Sequence, residues 1–282
     1  MPVKSAVTHA GSFDSYFDGP DRENCSTLRL VIRLHLNRME PRFGMFHGRT
    51  RDSADIGFPY DDWPDNEWAS FQRSVESICE SMWSAHGFLL PPAHDQALIR
   101  SLTHPSAYGY APSPFICCTL DVQVSDRRLG THAEVKCYHL PAGVAFFRSF
   151  ARDRVGRNLM KLSNRDVTRT HPGNPAYRVV SHELGHLLGL PHVLCDSNDE
   201  KCYGLPGTPE RKAILGAGTN FTAHEVRPWI ERMGQHTGTW AGWTPVFTHP
   251  VGRRGSDATL NDWLSTPMRE KTLLDEMSDS PY

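Results

Sequence analysis

Residues 181–196 read SHELGHLLGLPHVLCD, with histidines at 182, 186 and 192, a glutamate at 183 and glycines at 185 and 189. On an α-helix, residues four apart lie about 40° apart around the axis, so His182 and His186 share a face one turn apart. Their imidazoles can converge on one metal ion at roughly 2.0–2.1 Å. Gly189 supplies the left-handed residue that ends such a helix, and His192 then returns from the loop as a third nitrogen ligand. Three protein ligands leave a fourth position for water, which marks a catalytic site and not a closed structural one. Glu183 directly follows the first histidine and flanks that position, where it can take a proton from water.

Working outward, Val180, Leu184 and Leu187 offer this helix an apolar side for packing. Asn174 is a good N-cap and Pro175 fits the first helical position, so the helix is expected to start there. Upstream, LRLVIRLHL (28–36) alternates apolar residues with Arg and His, a strand with one buried face. Residues 66–87 place Trp68, Phe71, Val75, Ile78, Cys79, Met82 and Trp83 at helical spacing, an amphipathic helix ending near Gly87. FICCTLDVQV (115–124) and AEVKCYHL (133–140) read as strands joined by a turn-rich connector. Segment 143–162 carries Arg148, Arg152, Arg154, Arg157 and Lys161, and reads as a solvated helix or loop face. The order is strand, helix, strands, then the histidine helix.

Downstream, Thr222 and Glu225 form a capping box before a helical segment that Gly234 or Gly238 would end. Pro228 lies early in that segment and would kink it or delay its start. Residues 1–24 read as a flexible or loosely packed leader, and the chain beyond 240 as a poorly ordered extension. Seven cysteines without a CxxC pair argue against a complete disulfide framework. Cys195 and Cys202 could close a small ring, while Cys117 and Cys118 should point to opposite faces of a strand.

The 282 residues include 39% hydrophobic and 22% charged residues, ordinary for a globular chain, and carry a formal charge of −2. That balance gives no basic field for nucleic acid. No apolar run approaches the length of a membrane span. The N-terminus lacks the apolar centre of a secretory signal, so the chain is expected to be cytosolic, already processed, or exported by a signal-independent route. No G-x-S-x-G elbow or dinucleotide loop competes with the histidine motif.

Residues 182–192 resemble the extended zinc signature of the metzincin metallopeptidases. The resemblance implies an α+β fold, with a twisted mixed sheet above a cleft, an active-site helix and a small lower subdomain. It implies a catalytic domain over 25–240, its upper part 25–192 and its lower part 193–240. His182, His186 and His192 would hold one Zn²⁺, and Glu183 would be the general base. The family's methionine turn under the metal is matched best by residues 213–218, with Leu215 in the methionine's place; Met233 is a weaker match, since it sits inside the helix that the capping box predicts. Leucine and methionine are close in volume, and such swaps usually cost under about 1.5 kcal/mol. Val193 also departs from the residue several subfamilies place after the third histidine. Tyr203 or His224 could stabilise the transition state, and Asp18, Asp21 or Cys25 could block the zinc as an N-terminal latency element. The implied function is a zinc-dependent endopeptidase acting on protein or peptide, in keeping with an exported effector or toxin. The alternatives are a catalytically silent zinc-binding protein of the same fold, or hydrolysis of a non-peptide amide.

Overall fold

The computed structural model describes residues 4–7, 13–20, 25–41, 48–50, 58–84, 86–103, 114–144, 149–152, 158–168, 177–195 and 200–247. The chain divides into two units, Met1–Thr248 and His249–Tyr282, and every described residue lies in the first. In chain order come β1 (Lys4–Val7), β2 (Asp14–Asp18), β3 (Ser26–Arg38), β4 (Gly48–Thr50), β5 (Phe58–Tyr60) and α1 (Asp65–Trp83). Then follow β6 (Gly87–Leu90), α2 (Gln96–Leu102), β7 (Ile116–Ser125), β8 (Ala133–Tyr138), β9 (Phe150–Arg152) and β10 (Asn158–Ser163). The histidine helix is α3 (Val179–Leu187), followed by a 3-10 turn (Glu200–Tyr203), α4 (Pro209–Lys212), α5 (Arg227–Thr237) and β11 (Thr244–Phe247).

Nine strands form a mixed sheet in the order β11-β6-β7-β3-β8-β10-β9, with the β1–β2 hairpin attached to β3. β3 runs parallel to β7 and β8, and β8 parallel to β10. β9 closes the far side antiparallel to β10, and β6 lies antiparallel to β7. The architecture is therefore α+β. Leu28, Leu30, Ile32, Leu34 and Leu36 of β3 point alternately into one core, the period-2 pattern expected for a strand with one buried face. α1 packs on β7 and α3, and α3 packs in turn on β9 and β10.

α1 buries Trp68, Phe71, Val75, Cys79 and Trp83, each three or four residues from the last. Full burial of such side chains contributes about 1.5–3 kcal/mol each. The same helix also serves the sheet's hydrogen bonding. β6 pairs with β7 only at Ile116 and Cys117. Beyond that point the backbone N–H groups of Leu120, Val122 and Val124 donate to Ser84 Oγ, Glu80 Oε1 and Glu76 Oε1. Acceptors four apart on a helix advance about 6 Å, close to the rise of two strand residues, so the two repeats match.

Several expectations give way to this picture. The expected leader supplies β1 and β2, with Phe13 and Phe17 buried in the core. β11 lies beyond residue 240 yet pairs with β6. Within segment 143–162 the described residues include strand β9 and most of strand β10 in place of a solvated face, and Lys161 is buried. Arg148, Arg154 and Arg157 lie outside the described residues. So do Asn174 and Pro175, and the described helix begins at Val179 with Arg178 in the N-cap position. α1 ends at Trp83, before Gly87, because the chain enters β6 there. Pro228 delays α5, which starts at Arg227 and ends on Gly238 at φ 76°; Gly234 stays helical against Trp240. The Cys195–Cys202 disulfide forms.

The hairpin is fastened to α5 by polar contacts. Arg232 donates to the Phe13 carbonyl oxygen at 2.7 Å, and the Ser15 hydroxyl lies 2.9 Å from His236 Nε2. Burial, and then the charge of Arg232, push the His236 imidazole below its usual range. The unfolded chain thus binds this proton more readily, with a pKa of about 6.5. The neutral form's stabilisation is complete above that value and is lost as pH falls through the depressed folded value. Denaturation series from pH 7.5 to 5 should show a flatter pH dependence for His236→Asn than for wild type; parallel curves would remove His236 as the cause.

Candidate metal centre

α3 is buried on nearly every side: Val180, Ser181, His182, Glu183, Leu184, Gly185 and Leu187 are all buried, Glu183 keeping 8% exposure. Trp83 of α1 fixes its start by donating Nε1–H to the Ser181 carbonyl oxygen and hydroxyl, both at 3.1 Å. Gly189 leaves the helix at φ 84°, the turn expected of it. The chain then carries His192 back beside α3.

His182, His186 and His192 come together as a group able to hold a metal ion, one ring nitrogen from each lying within 4.8 Å of the others. The Nδ1 atoms of His182 and His186 face carbonyl oxygens of Ile214 (2.9 Å) and Leu190 (2.7 Å). Carbonyls accept only, so both Nδ1 atoms carry the proton and both Nε2 atoms present lone pairs. Nε2 of His186 and of His192 lie 3.2 Å apart. Tetrahedral ligands at about 2.05 Å from an ion sit roughly 3.3 Å from each other, so this spacing fits a shared cation. Burial holds the His182 imidazole well below its usual range; His186 and His192 add to that shift and the Ile214 hydrogen bond opposes it. A neutral imidazole is the form that ligates.

Comparison with protein families, curated proteins and solved structures finds no match for this chain. Glu183 is buried beside His182 on α3. Leu215 is fully buried with its Cδ2 2.5 Å from where a Cβ on Gly185 would stand, so it lies directly against α3 at Gly185. Its N–H donates to Glu225 Oε1 at 3.1 Å. The other Glu225 oxygen accepts from the Thr222 N–H and bonds the Thr222 hydroxyl, so this pair does not cap α5, whose N-cap is Val226, and instead braces the 213–218 turn before the helix begins. Met233 is buried on α5.

The two candidate helpers separate. Tyr203 places its ring 4.2 Å from the His192 ring and stacks on His182 at 5.6 Å. His224 Nε2–H donates to the Pro191 carbonyl oxygen at 2.8 Å and so braces the loop before His192. Asp18 lies in β2 and Cys25 precedes β3; neither belongs to the metal-holding group among the described residues, and Asp21 lies outside them. Sequence reasoning missed the Ile214 and Leu190 carbonyls and the buried Trp83–Ser181 contact. Backbone acceptors leave no residue-type signal.

Gly185 has a packing reason. A Cβ there would meet Leu215 Cδ2 at 2.5 Å and Trp83 ring carbons at 2.9 and 3.0 Å. Gly→Ala in a helix ordinarily gains up to about 1 kcal/mol. Here Gly185→Ala should instead destabilise by about 1–3 kcal/mol through overpacking, measured by denaturant unfolding. A rise in stability would show that the neighbours yield freely.

Proposed function

We propose that the chain is a metal-dependent peptide hydrolase, with zinc as the ion and Glu183 as the proton carrier. The observation that supports this most is the convergence of three histidine nitrogens with a buried glutamate on the same helix. All-imidazole donor sets suit zinc among the common divalent ions, though copper, iron and nickel share the preference. When bound, the ion supplies Lewis acidity and lowers the pKa of water towards neutrality. The residues do the rest. Glu183 accepts the proton of the attacking water and passes it to the departing amine nitrogen. His182 and His186, oriented by the Ile214 and Leu190 carbonyls, keep their Nε2 atoms aimed at one point.

The sheet suggests how substrate lies. β9 ends the strand order, antiparallel to β10 and packed beside α3. An extended peptide adding to that edge would run past the histidines, with backbone hydrogen bonds holding it and side chains alternating in and out. The resemblance of residues 182–192 to the metzincin signature points the same way, with Leu215 as the apolar floor. Among the described residues no helix is long and apolar enough to cross a membrane. The proposed substrate is a protein or peptide.

The test is a mixed peptide library incubated with the zinc-loaded protein and read by mass spectrometry. Cleavage products that vanish with a chelator and return with zinc are expected. Stoichiometric zinc with no product from any peptide would leave a silent zinc-binding protein or a hydrolase of non-peptide amides.

A further inference from the structure

The aromatic ring over the histidines is held by a bond that chemistry can break. His192 stands on the loop beyond Gly189, outside the helix that fixes the other two ligands. Tyr203 packs on its ring at 4.2 Å and spans to His182, where the planes are 18° apart. Tyr203 is the last residue of the 3-10 turn, and its neighbour Cys202 is bonded to Cys195, three residues after His192. The Leu194 N–H also donates to the Cys202 carbonyl oxygen at 3.1 Å. The chain leaving the third ligand and the chain delivering the ring are thus tied together twice. The Arg211 guanidinium also lies 5.9 Å over the Tyr203 ring and 3.6 Å from Glu200.

We infer that the Cys195–Cys202 disulfide is a redox-sensitive clamp on metal retention, acting through Tyr203 as a positioning residue. Oxidised, it presses the Tyr203 ring against His192 and His182; reduced, it lets the ring leave and the third ligand loosen. This rests on the three-histidine group holding a metal ion.

The chemistry balances with a dithiol as reductant. Its thiolate attacks the sulfur of Cys195, which is half-buried, whereas Cys202 is fully buried. The Cys195–Cys202 bond breaks, and Cys202 leaves as a thiolate that takes a proton. The second thiol of the reductant, deprotonated, then attacks the mixed disulfide and frees Cys195. Two electrons pass to the protein pair, and the dithiol becomes a cyclic disulfide. The other cysteines are poor exchange partners. Burial pushes the Cys25 thiol up and that of Cys117 to about 11, while Cys79, Cys118 and Cys137 lie in the core and stay protonated. Reduction should therefore be reversible without scrambling.

Zinc affinity is measured by competition with a chromophoric chelator on the full chain in four states: oxidised, reduced with a dithiol and desalted, reduced then blocked with iodoacetamide and desalted, and re-oxidised without blocking. The reduced form, and Cys195→Ser/Cys202→Ser, should bind zinc about 10–100-fold more weakly, the range for losing a group that orients a ligand. Re-oxidation should restore it. Tyr203→Ala should match the reduced protein, whereas Tyr203→Phe keeps the ring face and should stay within about two-fold of wild type. Thermal unfolding of each metal-free form checks that the fold survives. Equal affinity in oxidised, reduced and Tyr203→Ala protein overturns the clamp. A second zinc equivalent in reduced, unblocked protein also overturns it, by making the cysteines ligands. Oxidised wild type that takes up no zinc at all would sink the metal centre itself, and the clamp with it.

Discussion

Glu183→Gln should lower the rate of peptide hydrolysis by about 10²–10⁴-fold while leaving the metal content unchanged. Glutamine has the same shape and length, so the packing of this buried position is preserved. An amide cannot accept the proton that a carboxylate takes from water, so the loss falls on the chemical step. Zinc should remain because His182, His186 and His192 form a group that could hold an ion without Glu183. Turnover of a peptide found in the library screen, with elemental analysis of the same sample, checks both halves. A variant that turns over at the wild-type rate would remove Glu183 as base. One that loses its zinc would place Glu183 among the groups that hold the ion.

Trp83→Ala carries the largest expected loss of stability, about 3–5 kcal/mol for a fully buried tryptophan. The ring sits where three parts of the chain meet. It stacks on Trp229 of α5 at 6.4 Å, meets Phe221 edge-on at 6.0 Å and abuts the Gly185 position on α3. Removing it also withdraws the Nε1–H donor from the Ser181 carbonyl. Guanidinium unfolding followed by tryptophan-independent circular dichroism gives the value. Leu129→Ala is the control, since Leu129 is 97% exposed and should change stability by less than about 0.5 kcal/mol. Equal shifts in the two variants would mean that burial does not set the cost here.

The elements with clean periodicity were legible from the sequence. Trp68, Phe71, Val75, Cys79 and Trp83 announce α1, and the leucines of β3 announce a strand buried on one face. β10 was not legible, because Lys161 sits buried among Met160, Leu162 and Ser163 and breaks the alternation by which strands are recognised. β2 carries Tyr16 and Phe17 among Asp and Ser residues, and its buried Asp14 is paired with Arg33 at 2.7 Å, a partner that only the fold supplies. At the metal centre, spacing alone brought out His182, His186 and His192 and the stop at Gly189. The carbonyls that orient two of the rings, and the choice between Tyr203 and His224, depend on chain reversals that no local pattern encodes. The Cys195–Cys202 pair shows the same limit: seven residues of separation permit a bond, and only the positions of the Cα atoms, 4.9 Å apart, decide it.

The row of acceptors on α1 has a consequence for the life of the protein outside its folded state. Over Leu120–Val124, Ser84, Glu80 and Glu76 stand where a neighbouring strand's carbonyls would be, so α1 works as a surrogate strand built from side chains. Should α1 lift, three N–H donors at two-residue intervals would turn to solvent together, the template on which another chain can dock as a strand. Detachment of one helix would then open the core at Trp83 and unmask an adhesive edge in the same event. The packing of the core and the covering of this edge are thus tied together through α1.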